Sequence, residues 1–323
     1  MIKLFLLISF TTAVFAKHNN CDFKNENYED ICNKVVKNGV SYEYANKFLL
    51  SYFKTQKFDE ISWKYLQPRH ITTHKTNEKK ANNVLVKHIP KIITHLKKYK
   101  KVYDYCEIKY GVNREIVAAI LMKETSLGKI KPKHDAFIVF NTMVTRVDSK
   151  TSRERWLLKM GKANMGAIIK YCYKKGLKPI ECNLPSSYAG AVGIAQFMPN
   201  SFIYAKGYKT EIGDLTKMED AITSASYFLH KKAKFDTLIN WSEIPAMDKV
   251  ESDWYNYEFK YKNSSFAYNM RKNGKKYNCF ACEKKEMEYL KFYIKKIMRY
   301  NNSSNYSVGV MRLAYDSHIG LNK

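Results

Sequence analysis

Apolar residues along this chain fall mostly at intervals of three and four, the spacing that lines one side of a helix. Tyr44, Phe48, Leu49, Tyr52 and Phe53 repeat this way near the start. Val84, His88, Ile92, His95, Tyr99 and Val102 lie along one side of a long helix predicted from about Val84 to Tyr110, ended by Gly111. Asn113 then opens a helix as its N-cap, with Glu115 in the first turn and Gly128 closing it. Two or three helices are expected over residues 137–182, a loop of small residues from Leu184 to Gly193, and a helix from Ile194 to Tyr204. Further helices are expected over Asp220–Lys234, over Glu283–Tyr300, and after Asn301-Asn302-Ser303-Ser304 to about His318. Residues 241–281 are aromatic and polar without a clear period and read as irregular. Only 13 glycines and 7 prolines interrupt 323 residues. The fold class expected is therefore mostly α.

Breaks in this pattern divide the chain. Residues 17–80 form a small N-terminal helical region, ending in a polar, turn-prone stretch from Gln67 to Asn83. A main body covers residues 81–240 and 283–320, interrupted by an insertion at 241–282. Residues 1–16 read as a signal peptide. Lys3 is a short positive start, Leu4–Phe10 is too short an apolar run to anchor, and Val14-Phe15-Ala16 suits cleavage before Lys17. Cys21 lacks a lipoprotein spacing, and no later stretch is long and apolar enough to cross a membrane. The expected place is the periplasm, with no stable membrane anchor after cleavage.

A formal charge of +26 favours polyanionic surroundings. Export removes most of the case for nucleic acid and leaves the acidic cell wall and anionic lipid. Lys97-Lys98-Tyr99-Lys100-Lys101 reads as the solvated face of a helix. The seven cysteines form three close pairs, Cys21 with Cys32, Cys172 with Cys182 and Cys279 with Cys282. Outside the cytosol, two or three disulfides and a free thiol at Cys106 are expected.

One residue carries candidate chemistry. On a helix over residues 116–128, Ile116, Val117, Ile120, Leu121 and Leu127 share an arc, and Glu124 falls inside it. Burial disfavours a charged carboxylate, and a glycosidase acid must hold a proton near neutral pH. A glutamate satisfied by a lysine or by backbone donors has the same pattern. A second signal is Ser186-Ser187-Tyr188-Ala189-Gly190-Ala191-Val192-Gly193-Ile194-Ala195-Gln196-Phe197-Met198-Pro199-Asn200-Ser201. Its small residues allow close approach of a backbone or ligand, and Gln196 offers donors and an acceptor to sugar groups. Tight helix packing accounts for the small residues equally well.

Together these stretches resemble the membrane-bound lytic transglycosylase B family. Ile120, Glu124, Thr125 and Gly128 match its catalytic stretch, and Ala189 through Ser201 its second motif. Asp220-Ala221-Ile222 with Ser224 resembles a third motif, with Tyr227 one position early, and Tyr300 to Tyr306 a fourth. The match runs loosely from about residue 40 to 315.

The resemblance implies a lysozyme-like catalytic domain that cleaves the MurNAc-GlcNAc β-1,4 bond of peptidoglycan without water. It makes Glu124 the single acid/base and leaves 1,6-anhydro-MurNAc ends. It places Ser187, Gln196, Phe197, Tyr300 and Tyr306 along the sugar groove. Peptidoglycan glycan strands are the expected partner and no cofactor is expected. Some members carry a calcium loop before the third motif. Here Ala205–Leu215 has only Glu211 and Asp214 as acids, so no metal is expected. Residues Trp241–Arg299 fit the family poorly. The alternatives are a hydrolytic muramidase, for which Asp135 and Asp148 are candidate second carboxylates, and a non-catalytic peptidoglycan-binding protein.

Overall fold

The computed structural model describes residues 21–50, 55–67, 81–250, 258–261, 267–272, 275–277 and 283–323. The expected signal peptide, most of the Gln67–Asn83 stretch and the Cys279–Cys282 pair lie outside these residues.

Three helices come from the N-terminal region: α1 (Glu26–Lys37), α2 (Tyr42–Leu50) and α3 (Glu60–Leu66). They share one hydrophobic core with the body. They dock on α7 (Ala136–Arg146) and α8 (Ser152–Lys174). Phe48 meets Phe137 with ring centroids 5.1 Å apart, and the Tyr28 hydroxyl donates to Asn141 Oδ1 at 2.5 Å. Asp135 starts α7 by accepting from the N–H groups of Phe137 and Ile138, and Thr151 with Glu154 forms a capping box at the start of α8. Disulfides join Cys21 to Cys32 and Cys172 to Cys182, while Cys106 is a buried free thiol.

The body is built around α6 (Arg114–Thr125), whose residues Glu115 through Met122 are all buried. It is surrounded by α4 (Ile89–Lys98), α5 (Lys100–Tyr110), α9 (Met218–Lys231) and α11 (Ser304–Leu321). α10 (Lys284–Ile297) packs against α11. A hydrophobic helix buried on every side is what a core of this size requires.

Four expectations change. The long helix from Val84 to Tyr110 is divided. Val86–His88 is a 3-10 turn, and Pro90 sits in the first turn of α4, where its missing N–H costs nothing. Tyr99 then ends α4 and stands at the start of α5 without a side-chain cap, a break for which the sequence carries no signal. The helix expected over Ile194–Tyr204 is a tight loop followed by a 3-10 helix at Pro199–Tyr204. Met198, preceding a proline, is extended, which prevents an α-helix from running through it. Asn113 stands at the N-cap but does not cap. Its Oδ1 accepts from the Ile239 N–H at 2.7 Å instead.

The insertion is not irregular throughout. β3 (Glu258–Tyr261), β4 (Ala267–Lys272) and β5 (Lys275–Tyr277) form an antiparallel sheet in the order β3-β4-β5. The alternation was present in Phe259 with Tyr261 and in Tyr268 with Met270. Lys272 pairs with Lys275, and the two sequence positions between them are Asn-Gly, the strongest short hairpin signal. A separate two-stranded pair, β1 (His134–Asp135) with β2 (Pro185–Ser186), ties the start of α7 to the beginning of the second motif.

Candidate active site

Glu124 occupies the last turn of α6 and is half-buried. The helix stops abruptly beyond it. Ser126, Leu127 and Gly128 take successive left-handed conformations, with φ of 52°, 57° and 78°. Two of these three are not glycine, so the turn is strained and must be held by its surroundings. Thr125 does part of this. Its Oγ1 donates to the Ile194 carbonyl at 2.9 Å and accepts from the Gly128 N–H at 3.0 Å. One threonine thus ties the end of the glutamate helix to the second motif.

That motif folds as a closed loop. Val192 and Phe197 exchange backbone hydrogen bonds at 2.8 and 3.0 Å, and residues 193–196 turn between them. Gly193 has φ +74°, and a Cβ there would meet the Leu215 carbonyl oxygen at 2.4 Å. Gly190 lies against the Phe140 ring, which an added Cβ would meet at 2.4 Å. The small residues are therefore required by backbone approach to protein.

Gln196 sits at the corner of this loop with φ +48° and is half-buried. Its Nε2 donates to the Gly193 carbonyl at 2.8 Å. Its Oε1 has no protein partner among the described residues, which leaves an acceptor for a ligand.

Two tyrosines close the cluster. The Tyr306 hydroxyl donates to Glu124 Oε1 at 2.6 Å. The Tyr300 hydroxyl donates to the Ala195 carbonyl at 2.5 Å. Burial holds the Tyr300 phenol well above its usual pKa, and the nearby Glu124 charge pushes it further the same way. The Tyr300 hydroxyl therefore stays protonated and acts as a donor. Phe197 is 3% exposed and packs behind, its ring centroid 5.4 Å from Phe228 and 6.0 Å from Tyr300. It backs the wall that Tyr300 presents. Ser187 is placed differently. Its polar contacts among the described residues stay within its own turn: its N–H donates to Ala191 O at 2.8 Å, and its Oγ accepts from the Ala191 N–H at 3.2 Å.

Two residues without a sequence-assigned role support Tyr306. The Lys123 ammonium lies 5.0 Å from the Tyr306 ring centroid and donates to Asn82 Oδ1 at 2.5 Å. Asn82 is buried, and its amide donates to the Asn305 carbonyl at 2.7 Å. Gly309 leaves room for it, since a Cβ there would lie 2.1 Å from Asn82 Oδ1. Asn82 lies in the polar, turn-prone stretch from Gln67 to Asn83, and the sequence assigns nothing to Lys123. The only signal for either was proximity in sequence to Glu124, which covers Lys123 alone.

The other carboxylates have structural work. Asp135 caps α7, and Asp148 is exposed beside Lys150 at 3.3 Å. Asp220 holds the 205–215 loop closed. Its two oxygens accept from the N–H groups of Tyr208 at 2.9 Å and Asp214 at 2.7 Å. Among the described residues no group of three histidine, cysteine, aspartate or glutamate side chains is placed to hold a metal ion.

This architecture recurs in known proteins. A 36 kDa muramidase/transglycosylase is 15% identical, with 95% of this chain and 99% of that one covered, at a TM-score of 0.61. The Escherichia coli lytic transglycosylase SLT35 in complex with calcium is 16% identical over 95% of this chain and 99% of that one, at 0.55. SltB3 from Pseudomonas aeruginosa in complex with NAG-anhNAM-pentapeptide is 15% identical over 89% and 77%, at 0.54. At such identities the likeness carries the fold, which is the lysozyme-like one that the motifs implied. No curated protein matches in sequence. A family model described as the transglycosylase SLT domain matches residues 23–315, most of the chain and all four motifs. The chain belongs to the transglycosylase SLT domain family.

Proposed function

We propose that the protein is an exported lytic transglycosylase that cleaves the MurNAc-GlcNAc β-1,4 bond of peptidoglycan, with Glu124 as its single acid/base. The observation that carries this reading is the Glu124 carboxylate, held by the Tyr306 hydroxyl at 2.6 Å at the end of a buried helix. Protonated Glu124 donates its proton to the glycosidic oxygen as the bond to the anomeric carbon breaks. The resulting carboxylate then takes the proton from the muramic acid 6-hydroxyl, whose oxygen bonds to that same anomeric carbon. Glu124 ends the cycle protonated, and no water is consumed. The nucleophile is tethered to the carbon it attacks, so the second step gains from proximity.

The hydrolytic alternative has less support. A retaining or inverting hydrolase ordinarily needs a second carboxylate facing the first. Asp135 is engaged as a helix cap and Asp148 is a surface residue. Gln196, Tyr300 and Tyr306 would bind and orient sugar, Phe197 would stiffen that wall, and Ser187 would fix the turn at its edge. Activity would need no metal, since the Ala205–Leu215 loop has only Glu211 and Asp214 as acids.

The test is digestion of purified peptidoglycan in ¹⁸O-labelled water, followed by mass analysis of the fragments. The expected products end in unlabelled 1,6-anhydro-muramic acid, each one water lighter than a hydrolytic product. Mainly labelled reducing ends would put the muramidase reading in its place.

A further inference from the structure

A second feature of the surface lies outside the Glu124 cluster. The break at Tyr99 turns the run Lys97–Lys101 from one helix face into the wall of a groove. The opposite wall is the loop at Tyr208–Thr210 together with Lys217 and the start of α9. The groove has a volume of about 980 Å³. Six lysines line it, Lys97, Lys98, Lys100, Lys101, Lys209 and Lys217, and all are exposed. Lys100 pairs with Asp104 at 2.7 Å. The other five make no carboxylate ion pair within 4 Å among the described residues.

The groove's two acids, Glu219 and Asp220, offset only part of the charge of six lysines, and Asp220 has both oxygens turned onto the backbone N–H groups of Tyr208 and Asp214. A second large groove, between α1 and α8, also carries cations, Lys34, Arg155, Lys159, Lys162 and Lys170, but Asp30 bridges Lys34 at 2.8 Å and Lys162 at 2.6 Å there and no aromatic ring among the described residues lines it. Two half-buried rings, Tyr99 and Tyr208, lie among the lysines of the first groove. Tyr208 is braced edge-on by Tyr105 at 5.3 Å. Concentrated, uncompensated positive charge in a concave surface focuses the field and raises the local concentration of a polyanion. Aromatic faces beside it suit sugar rings, which present C–H groups to a π face.

We propose that this groove is an exosite for peptidoglycan away from the bond being cut, holding carboxylate-bearing peptide stems and the glycan that carries them. The proposal rests on the peptidoglycan reading above. Free carboxylates along the stems make the wall a polyanion, so many weak contacts add up on a polymer and vanish on a short fragment. The site would keep the enzyme on its substrate between cuts.

The test measures binding without catalysis, so its outcome does not depend on the reaction. In a Glu124→Gln background, Lys97, Lys98, Lys101, Lys209 and Lys217 are replaced together by glutamine. A control carries the same loss of charge at Lys24, Lys37, Lys231, Lys284 and Lys295, which are exposed and make no ion pair among the described residues. Co-sedimentation with purified sacculi is measured at low and high salt, with circular dichroism to verify the fold. The groove variant should bind about tenfold or more weakly than the control at low ionic strength, and the two should converge at about 1 M salt, where screening is nearly complete. Sacculi whose carboxylates have been amidated should abolish the difference. Equal binding by the two variants would overturn the proposal, as would a difference that survives amidation. So would a loss seen only with phosphatidylglycerol vesicles.

Discussion

Two glutamates on one helix have opposite fates. Glu115 and Glu124 are nine positions apart on α6, which at about 100° per residue places them on opposite sides. Glu115 is 6% exposed. One of its oxygens meets His318 Nδ1 at 3.1 Å, and the other has no hydrogen-bond partner among the described residues. Desolvation pushes its carboxyl above the usual range, against the opposing pull of His318. That imidazole is stacked on Trp241 at 5.2 Å, so the pair is sealed from solvent on that side. Glu124 is only half-buried, and the Tyr306 hydroxyl donates to it. By burial alone, Glu115 is the better candidate for a carboxyl that keeps its proton. What separates the two is access. A general acid must reach a substrate atom, and only Glu124 stands at a helix end facing the second motif and the late tyrosines.

The largest expected effect tests that separation directly. Glu124→Gln keeps the shape of the side chain and removes the transferable proton. Turnover of peptidoglycan should fall by about 10³-fold or more, within the range that general acid–base catalysis supplies. The circular-dichroism spectrum should not change. Glu115→Gln should keep turnover within about threefold of wild type, since no substrate contact is removed. If the Glu115 variant is the inactive one and the Glu124 variant cuts normally, the roles assigned here are reversed.

The comparison also shows what the sequence could reveal. Periodicity located α6 and its buried arc, because a helix enclosed on all sides must be apolar nearly all round. The same periodicity could not rank the two glutamates, since each sits beside apolar neighbours. Glu115 read as an ordinary first-turn acid, and its partner His318 lies 203 positions later. The motif resemblance singles out Glu124 and adds Gln196, Tyr300 and Tyr306 to it. The structure joins Glu124 to Tyr306, joins Tyr300 to the loop that carries Gln196, and packs Phe197 against Tyr300. Asn82 was illegible, because its role depends on contacts with Asn305 and Gly309 from the far end of the chain. The sheet at β3-β4-β5 was legible in principle. Its alternation is only Phe259 with Tyr261 in β3 and Tyr268 with Met270 in β4, and β5 adds Tyr277 alone, which a helical expectation and a crowd of tyrosines obscure.

An intermediate effect should come from the hydroxyl that distinguishes Glu124 from Glu115. Tyr306→Phe removes one donor to the carboxylate and keeps the ring against Lys123. Hydrogen bonds to charged groups contribute about 1.5–3 kcal/mol, which corresponds to roughly a 10–100-fold fall in kcat. KM should move less than kcat, because the ring that would face the sugar is kept and only the hydroxyl that orients the acid is lost. A large rise in KM with unchanged kcat would make Tyr306 a sugar-binding residue with no hold on the acid.

The smallest effect is on stability, and it concerns Glu115. Its folded-state pKa is raised by burial, so the folded protein keeps a proton that the unfolded chain releases above about pH 4.3. Between that pH and the raised value, the folded state binds more protons than the unfolded state. Stability therefore falls as pH rises through this window, by about 1.4 kcal/mol for each unit of separation between the two pKa values. His95 acts in the opposite direction. Burial pushes its pKa down to about 4, so its contribution is present above about 6.5 and is lost as pH falls from there to about 4. A wild-type profile alone mixes the two. Glu115→Gln removes the first titration and leaves His95 in place, so the difference between the two melting curves isolates Glu115. That difference should grow in the variant's favour as pH rises from about 4 and level off once the wild-type carboxyl is fully ionised. A difference that stays constant from pH 4 to 8 would mean that Glu115 ionises as it does in the unfolded chain. Burial would then not separate the two ends of α6, and access alone would have to carry the distinction.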